Sequence, residues 1–278
     1  MLKSKKIILV ILAIMLTLPF IIFTSCTAGG ESADDTPSPS APQEQTGEFI
    51  STTLEVDTGT IHYHYYLPNG YDTETTYPMI VALPGYGGMW FGQSSLGNNL
   101  RERGVNVWAE FGDYIVVSPQ LTDWGATSAR QTIELTEYFI QSYSVDTSRV
   151  YAAGHSAGGE TLSRVMGSRS DLFAAYLHDS SQWDGGYESA AQNRLAVYLF
   201  IAENDEYYGS SETRAAYENL VSAYKDEGIT DEQVDSLIKL DIESDSYFDS
   251  KGYSNYHAGG QAAFDDENIT SWILSHTK

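Results

Sequence analysis

The sequence predicts an α/β fold, with a mostly parallel central sheet, helices on both faces and an N-terminal antiparallel hairpin. Three observations carry this. Short apolar runs suited to strands covered on both faces recur at 79–83, 114–117, 150–153, 174–177 and 195–202, with a further strand at 236–242. Segments with helical spacing fall between them, the alternation that a parallel sheet requires. Ahead of them, residues 49–67 alternate apolar and polar around Asp57-Thr58-Gly59, as a hairpin does.

Composition sets the outer limits. A chain of 278 residues with 42% hydrophobic content can bury a sizeable core. Its formal charge of −23 argues against nucleic acid or anionic membrane surfaces as partners. Cys26 is the single cysteine, so the folded domain contains neither a disulfide nor a thiolate metal site.

In chain order, Lys3, Lys5 and Lys6 precede an apolar run over 7–23, the pattern of an export signal over 1–25. At about 17 residues the run is close to the lower limit of a spanning helix, so an uncleaved anchor is the alternative. Phe23-Thr24-Ser25-Cys26 resembles the lipobox of bacterial lipoproteins. That resemblance implies cleavage before Cys26 and lipidation of its thiol, leaving the protein on the cell envelope and facing outside the cytoplasm. Residues 26–47, with Pro37, Pro39 and Pro42 among small and acidic residues, read as a flexible tether. Residues 48–278 form the expected catalytic domain.

Within it, Leu54, Val56, Ile61, Tyr63, Tyr65 and Leu67 give the hairpin its buried face. His62 and His64 share the other face. Two histidines at this spacing suit a metal, but no third ligand is near, so they read as surface and no metal is expected. After the strand at 79–83 comes Pro84-Gly85-Tyr86-Gly87-Gly88, whose backbone N–H groups can converge into an oxyanion hole; a plain βα turn is the other reading. Helices are expected over 93–103 and 129–143. The strand at 150–153 runs into Gly154-His155-Ser156-Ala157-Gly158 and a helix at 160–166. Such a sharp strand-to-helix turn exposes the central serine at a helix N-terminus. The strand at 174–177 ends at His178-Asp179, and that at 195–202 at Glu203-Asn204-Asp205-Glu206. A helix at 212–225, the strand at 236–242, a loop bearing His257 and a helix at 262–275 complete the chain.

A serine hydroxyl needs a base to become a nucleophile, and a histidine base needs a carboxylate to orient it. Ser156, Asp205 and His257 occur in that order, each in a loop past a strand, where open parallel sheets collect reactive groups. Glu203 and Glu206 flank Asp205 as alternative acids. His155 reads as a packed neighbour, His178 precedes the acid, and His276 is terminal and solvated. Trp90, Trp124 and Trp183 lie in loops after strands and either line an apolar or sugar-stacking pocket or serve as lid packing.

These motifs resemble the α/β-hydrolase superfamily over about residues 50–275. The matching pieces are Leu83-Pro84-Gly85-Tyr86-Gly87-Gly88, Gly154-His155-Ser156-Ala157-Gly158-Gly159, Glu203-Asn204-Asp205-Glu206-Tyr207-Tyr208 and His257-Ala258-Gly259-Gly260. Within it the chain looks like small extracellular esterases related to polyhydroxyalkanoate depolymerases and feruloyl esterases, with Pro84 where many relatives carry His. The resemblance implies an α/β-hydrolase fold, Ser156 as nucleophile, His257 as base and Asp205 as orienting acid. It also implies oxyanion donors from the backbone of Ala157 and of Tyr86 or Gly87. The expectation is therefore a lipid-anchored serine hydrolase acting without cofactor on small-molecule or polysaccharide-linked esters, touching the membrane only through its lipid. A small-peptide serine peptidase of prolyl-oligopeptidase type is the second enzymatic reading. A surface binding protein on a hydrolase scaffold is the third, and it has no use for an intact Ser156, Asp205 and His257.

Overall fold

A computed structural model describes residues 45–278. The expected export segment, Cys26 and nearly all of the expected tether lie outside the described residues. No helix among the described residues is long and apolar enough to cross a membrane.

Eight strands form one sheet: β1 (Phe49–Val56), β2 (Gly59–Tyr66), β3 (Tyr77–Leu83), β4 (Ile115–Gln120), β5 (Val145–His155), β6 (Ala175–Asp179), β7 (Ala196–Ala202) and β8 (Ile238–Glu243). Their spatial order is β1-β2-β4-β3-β5-β6-β7-β8. β3 through β8 run parallel, and β2 is antiparallel to both β1 and β4.

The helices are α1 (Arg103–Asn106), α2 (Ala126–Ser142), α3 (Ala157–Arg169), α4 (Glu188–Gln192), α5 (Ser210–Asp226), α6 (Asp231–Leu237), α7 (Asp245–Ser250), α8 (Tyr256–Gly259) and α9 (Glu267–Leu274). They divide between the two faces, because successive strand residues point in opposite directions. Met79, Val81 and Leu83 of β3 pack with residues of α2 to α6 such as Phe139, Leu162 and Leu220. Ile80 and Ala82 of the same strand pack instead with Trp108, Phe248, Phe264 and Ile273.

β3 and β5 are neighbours, yet the chain leaves them toward opposite edges of the sheet. Such a reversal opens a crevice at the carboxyl ends of the two strands, where ligands bind in doubly wound sheets.

Several local expectations are corrected. The hairpin is not polar on its second face: β2 is an interior strand, so His64 is buried, and His62 stacks on Trp90 with ring centroids 3.5 Å apart. No helix spans 93–103, because Gly97 adopts φ +80° and donates its N–H to the Gln120 side chain at 3.1 Å. Short turns and α1 replace it. The closing helix breaks at Asp266, which is extended and caps α9 by accepting from the Asn268 N–H at 2.9 Å. His257 sits in α8 rather than in a loop, and α7 separates it from β8. α6 was not expected, although Thr230 and Gln233 spell its reciprocal capping box.

Candidate active site

Ser156 is the residue between β5 and α3, and it pays for that position with φ 54° and ψ −123°, a strained conformation for a side chain with Cβ. Two glycines make the turn feasible. A Cβ on Gly158 would lie 2.5 Å from the Leu83 carbonyl oxygen, and one on Gly154 would lie 2.8 Å from the Gly158 backbone. Ser156 donates its own N–H to the Asp179 carbonyl at 3.0 Å, and Ser181 Oγ donates to the Ser156 carbonyl at 2.8 Å. The elbow is thus held from β6 as well as by its own strand.

His257 Nε2 lies 2.9 Å from Ser156 Oγ, and its Nδ1 lies 2.9 Å from Asp205 Oδ2. With a neutral imidazole carrying its proton on Nδ1, Asp205 accepts from the ring and the ring accepts from the serine hydroxyl. The other Asp205 oxygen accepts the N–H groups of Tyr207 and Tyr208, each at 2.9 Å. Burial works against the charge on Asp205, but the His257 ring and these N–H groups outweigh it and hold its pKa below the usual carboxylate range. The two flanking acids are placed differently. Glu206 accepts the backbone N–H groups of Tyr256 and His257, at 2.9 and 2.8 Å, and so anchors the start of α8. The Glu203 N–H donates to the Glu243 carbonyl, and its side chain is exposed.

A cavity of about 580 Å³ opens over Ser156. Tyr86, Gly87 and Ala157 all line it. Ala157 opens α3, where N–H groups have no partner within the helix. Gly85 is committed elsewhere, because its N–H donates to Glu102 Oε2 at 2.7 Å.

Of the three tryptophans, only Trp124 lines this cavity, and it is 41% exposed. Trp90 is stacked on His62. Trp183 is buried among Tyr176, His178 and Tyr187. His178 belongs to that same core: burial pushes its pKa down to about 4, and it bonds to the Tyr176 hydroxyl at 2.7 Å. His276 is half-buried rather than solvated and bonds through Nδ1 to the Trp272 carbonyl at 2.7 Å.

Four site residues escape sequence reasoning. Glu160 follows Ser156 by four residues, one helical turn, which was a legible signal. Asp179 ends a strand already recognised. Tyr208 lies three residues past Asp205 with nothing to mark it. Glu102 had no local signal, since it reaches the site through a non-local bond to Gly85. No group of three residues suited to a metal occurs among the described residues.

Comparisons with known proteins agree with this fold. Residues 120–257 match the prolyl oligopeptidase family, Peptidase_S9. Feruloyl esterase B of Thermothelomyces thermophilus is 30% identical over 130 residues, which are 41% of this chain and 42% of that protein. This chain therefore matches less than half the length of that relative. Among solved structures, a thermostable esterase superposes with a TM-score of 0.68 at 18% identity, covering 83% of this chain and 63% of that one. The feruloyl esterase module from Clostridium thermocellum, complexed with sinapinate, does so with a TM-score of 0.54 at 19% identity, covering 86% and 93%.

Proposed function

Because this chain has the α/β-hydrolase fold and its residues 120–257 match the prolyl oligopeptidase family, we propose that it is a serine hydrolase that cleaves carboxylic esters through an acyl-enzyme on Ser156. The reading rests on the hydrogen-bonded line from Ser156 Oγ through His257 to Asp205, with 2.9 Å at each step. In the first half-reaction Ser156 Oγ attacks the ester carbonyl and His257 Nε2 takes the hydroxyl proton. The oxyanion is received by the N–H of Ala157 and that of Tyr86 or Gly87. Collapse breaks the bond to the alcohol, which leaves with the proton from His257. Water then repeats the sequence on the acyl-serine and frees the acid. No metal or organic cofactor takes part.

The mouth of the cavity supports a proposal about substrate class. Tyr86, Trp124 and Tyr207 line it with exposed rings, and the Phe91 ring sits 5.0 Å from that of Tyr86. Such rings suit an aromatic acyl group or a sugar, in keeping with the feruloyl esterases among the similar proteins. Feruloyl or acetyl esters of plant cell-wall polysaccharide, or a polyester, are the proposed substrates. Export and a lipid on Cys26 would hold the enzyme at the cell envelope, facing outside the cytoplasm. The match to the prolyl oligopeptidase family favours one second reading, cleavage of small peptides by the same residues.

The deciding experiment is labelling with a fluorophosphonate, run beside hydrolysis of p-nitrophenyl acyl esters, feruloyl esters, acetylated xylan and aminoacyl amides. One label on Ser156, absent from Ser156→Ala and His257→Ala, together with ester turnover, is expected. Folded protein that takes no label and cleaves no ester overturns the proposal, and turnover of amides alone turns it into the peptidase.

A further inference from the structure

The cavity over Ser156 holds an acidic side chain that ester chemistry leaves unused. Glu160, on α3 one turn past Ser156, lines the cavity although the residue is only 6% exposed. The Tyr208 hydroxyl donates to its Oε1 at 2.5 Å, and Gln182 Nε2 donates to its Oε2 at 3.3 Å. Burial and the neighbouring Asp184 carboxyl push the Glu160 pKa up, against the hydrogen bonds from Tyr208 and Gln182 that favour its ionised form. When ionised it has about four acceptor positions, and these two donors fill two of them. Tyr208 commits its single proton to Glu160.

The remaining lining groups do not balance this charge. Glu102, the other carboxylate there, is committed to the Gly85 N–H. Among the described residues no Lys or Arg lines the cavity. Arg164, on the same helix as Glu160, bonds to Asp184 at 3.0 Å. An anionic substrate group would enter with the Glu160 carboxylate on the wall and no Lys or Arg to meet it, while His155, the lining imidazole whose pKa is raised, is already paired with Asp179 at 2.6 Å.

We propose that Glu160, held in place by Tyr208, sets the charge specificity of this cavity, admitting esters that are neutral or carry an ammonium or hydroxyl and rejecting those that carry a carboxylate. The inference rests on the esterase reading. One like charge about 8 Å from Glu160, at an effective dielectric constant of about 20, lowers kcat/KM by about 30-fold. A neutral chain of the same length meets no such barrier, and a donor group finds an acceptor.

The test uses three p-nitrophenyl esters with acyl chains of similar length, made from hexanoic acid, 6-aminohexanoic acid and adipic acid as its half-ester. Acetylcholine and its uncharged analogue 3,3-dimethylbutyl acetate probe the alcohol side in the same way. Wild-type protein should favour hexanoate over the adipate half-ester by about 30-fold in kcat/KM, mainly through KM. Glu160→Gln should recover most of that loss for the half-ester relative to hexanoate, read as the ratio of the two kcat/KM values in the same variant. Tyr208→Phe, which keeps the carboxylate but removes the hydroxyl that holds it, should shrink the discrimination against the half-ester and serves as the check should Glu160→Gln fail to fold; discrimination unchanged in Tyr208→Phe would remove the positioning role. Equal kcat/KM across the charge series in wild type, or an equal change in all substrates on Glu160→Gln, overturns the inference while leaving the esterase reading intact. Failure of wild type to cleave even the neutral esters removes the esterase reading itself.

Discussion

His155 Nδ1 and Asp179 Oδ2 lie 2.6 Å apart, both buried, and His155 immediately precedes Ser156. The ring of His155 is 5.1 Å from that of His257, so a second histidine–carboxylate pair stands beside the first. Burial disfavours a charged His155, but the Asp179 carboxylate, assisted by those of Glu102 and Asp205, outweighs it and raises the histidine pKa.

That pair makes stability depend on pH. A pKa raised by folding stabilises fully below the unfolded value, near 6.5, and the benefit is lost as pH climbs through the higher folded value. Urea unfolding of the wild-type protein should therefore show stability falling as pH rises above about 6.5. Asp179→Asn leaves a buried histidine without its counter-charge. It should cost about 3–5 kcal/mol and flatten the pH dependence. An unchanged slope in the variant would assign the effect elsewhere.

The acid loop separates an orienting role from an anchoring one. Asp205→Asn should keep the fold and lower kcat by about 10⁴, the scale seen when a comparable histidine loses its orienting carboxylate. Glu206→Gln weakens the hold on the N–H groups of Tyr256 and His257, so turnover should fall by about tenfold. Glu203→Gln should change little. Steady-state kinetics on one neutral ester decide it, and Glu206→Gln matching Asp205→Asn would move the acid by one residue.

Two tryptophans should respond in opposite ways. Trp124→Ala removes an exposed ring from the cavity mouth, so KM should rise for aromatic esters while the melting temperature holds. Trp183→Ala empties a buried site among Tyr176, His178 and Tyr187 and should cost about 3–5 kcal/mol. Thermal melts beside kinetics separate the two, and a KM effect from Trp183→Ala without loss of stability would contradict this division.

Anchoring is tested on the full chain. Cells fed a radioactive fatty acid should label the wild-type protein and not Cys26→Ala, which should be released or mislocalised. Label retained by Cys26→Ala would refute the lipid attachment.

The chain itself determined the alternation of strand and helix, because a strand buried on both faces must read as a continuous apolar run, and 79–83 and 195–202 do so. It also determined the elbow, since Gly154 and Gly158 stand where a Cβ would come within 2.8 Å of neighbouring backbone. Order along the chain singled out Ser156, Asp205 and His257 as candidates. Tertiary structure decided what no local pattern encodes. His64 is buried only because β4 pairs with β2, across more than fifty residues of chain. Glu102 meets Gly85 and Glu160 meets Tyr208 through contacts between elements far apart in sequence. Periodicity reports which face of an element is covered, but only the packed sheet specifies which side chains from distant strands share one cavity.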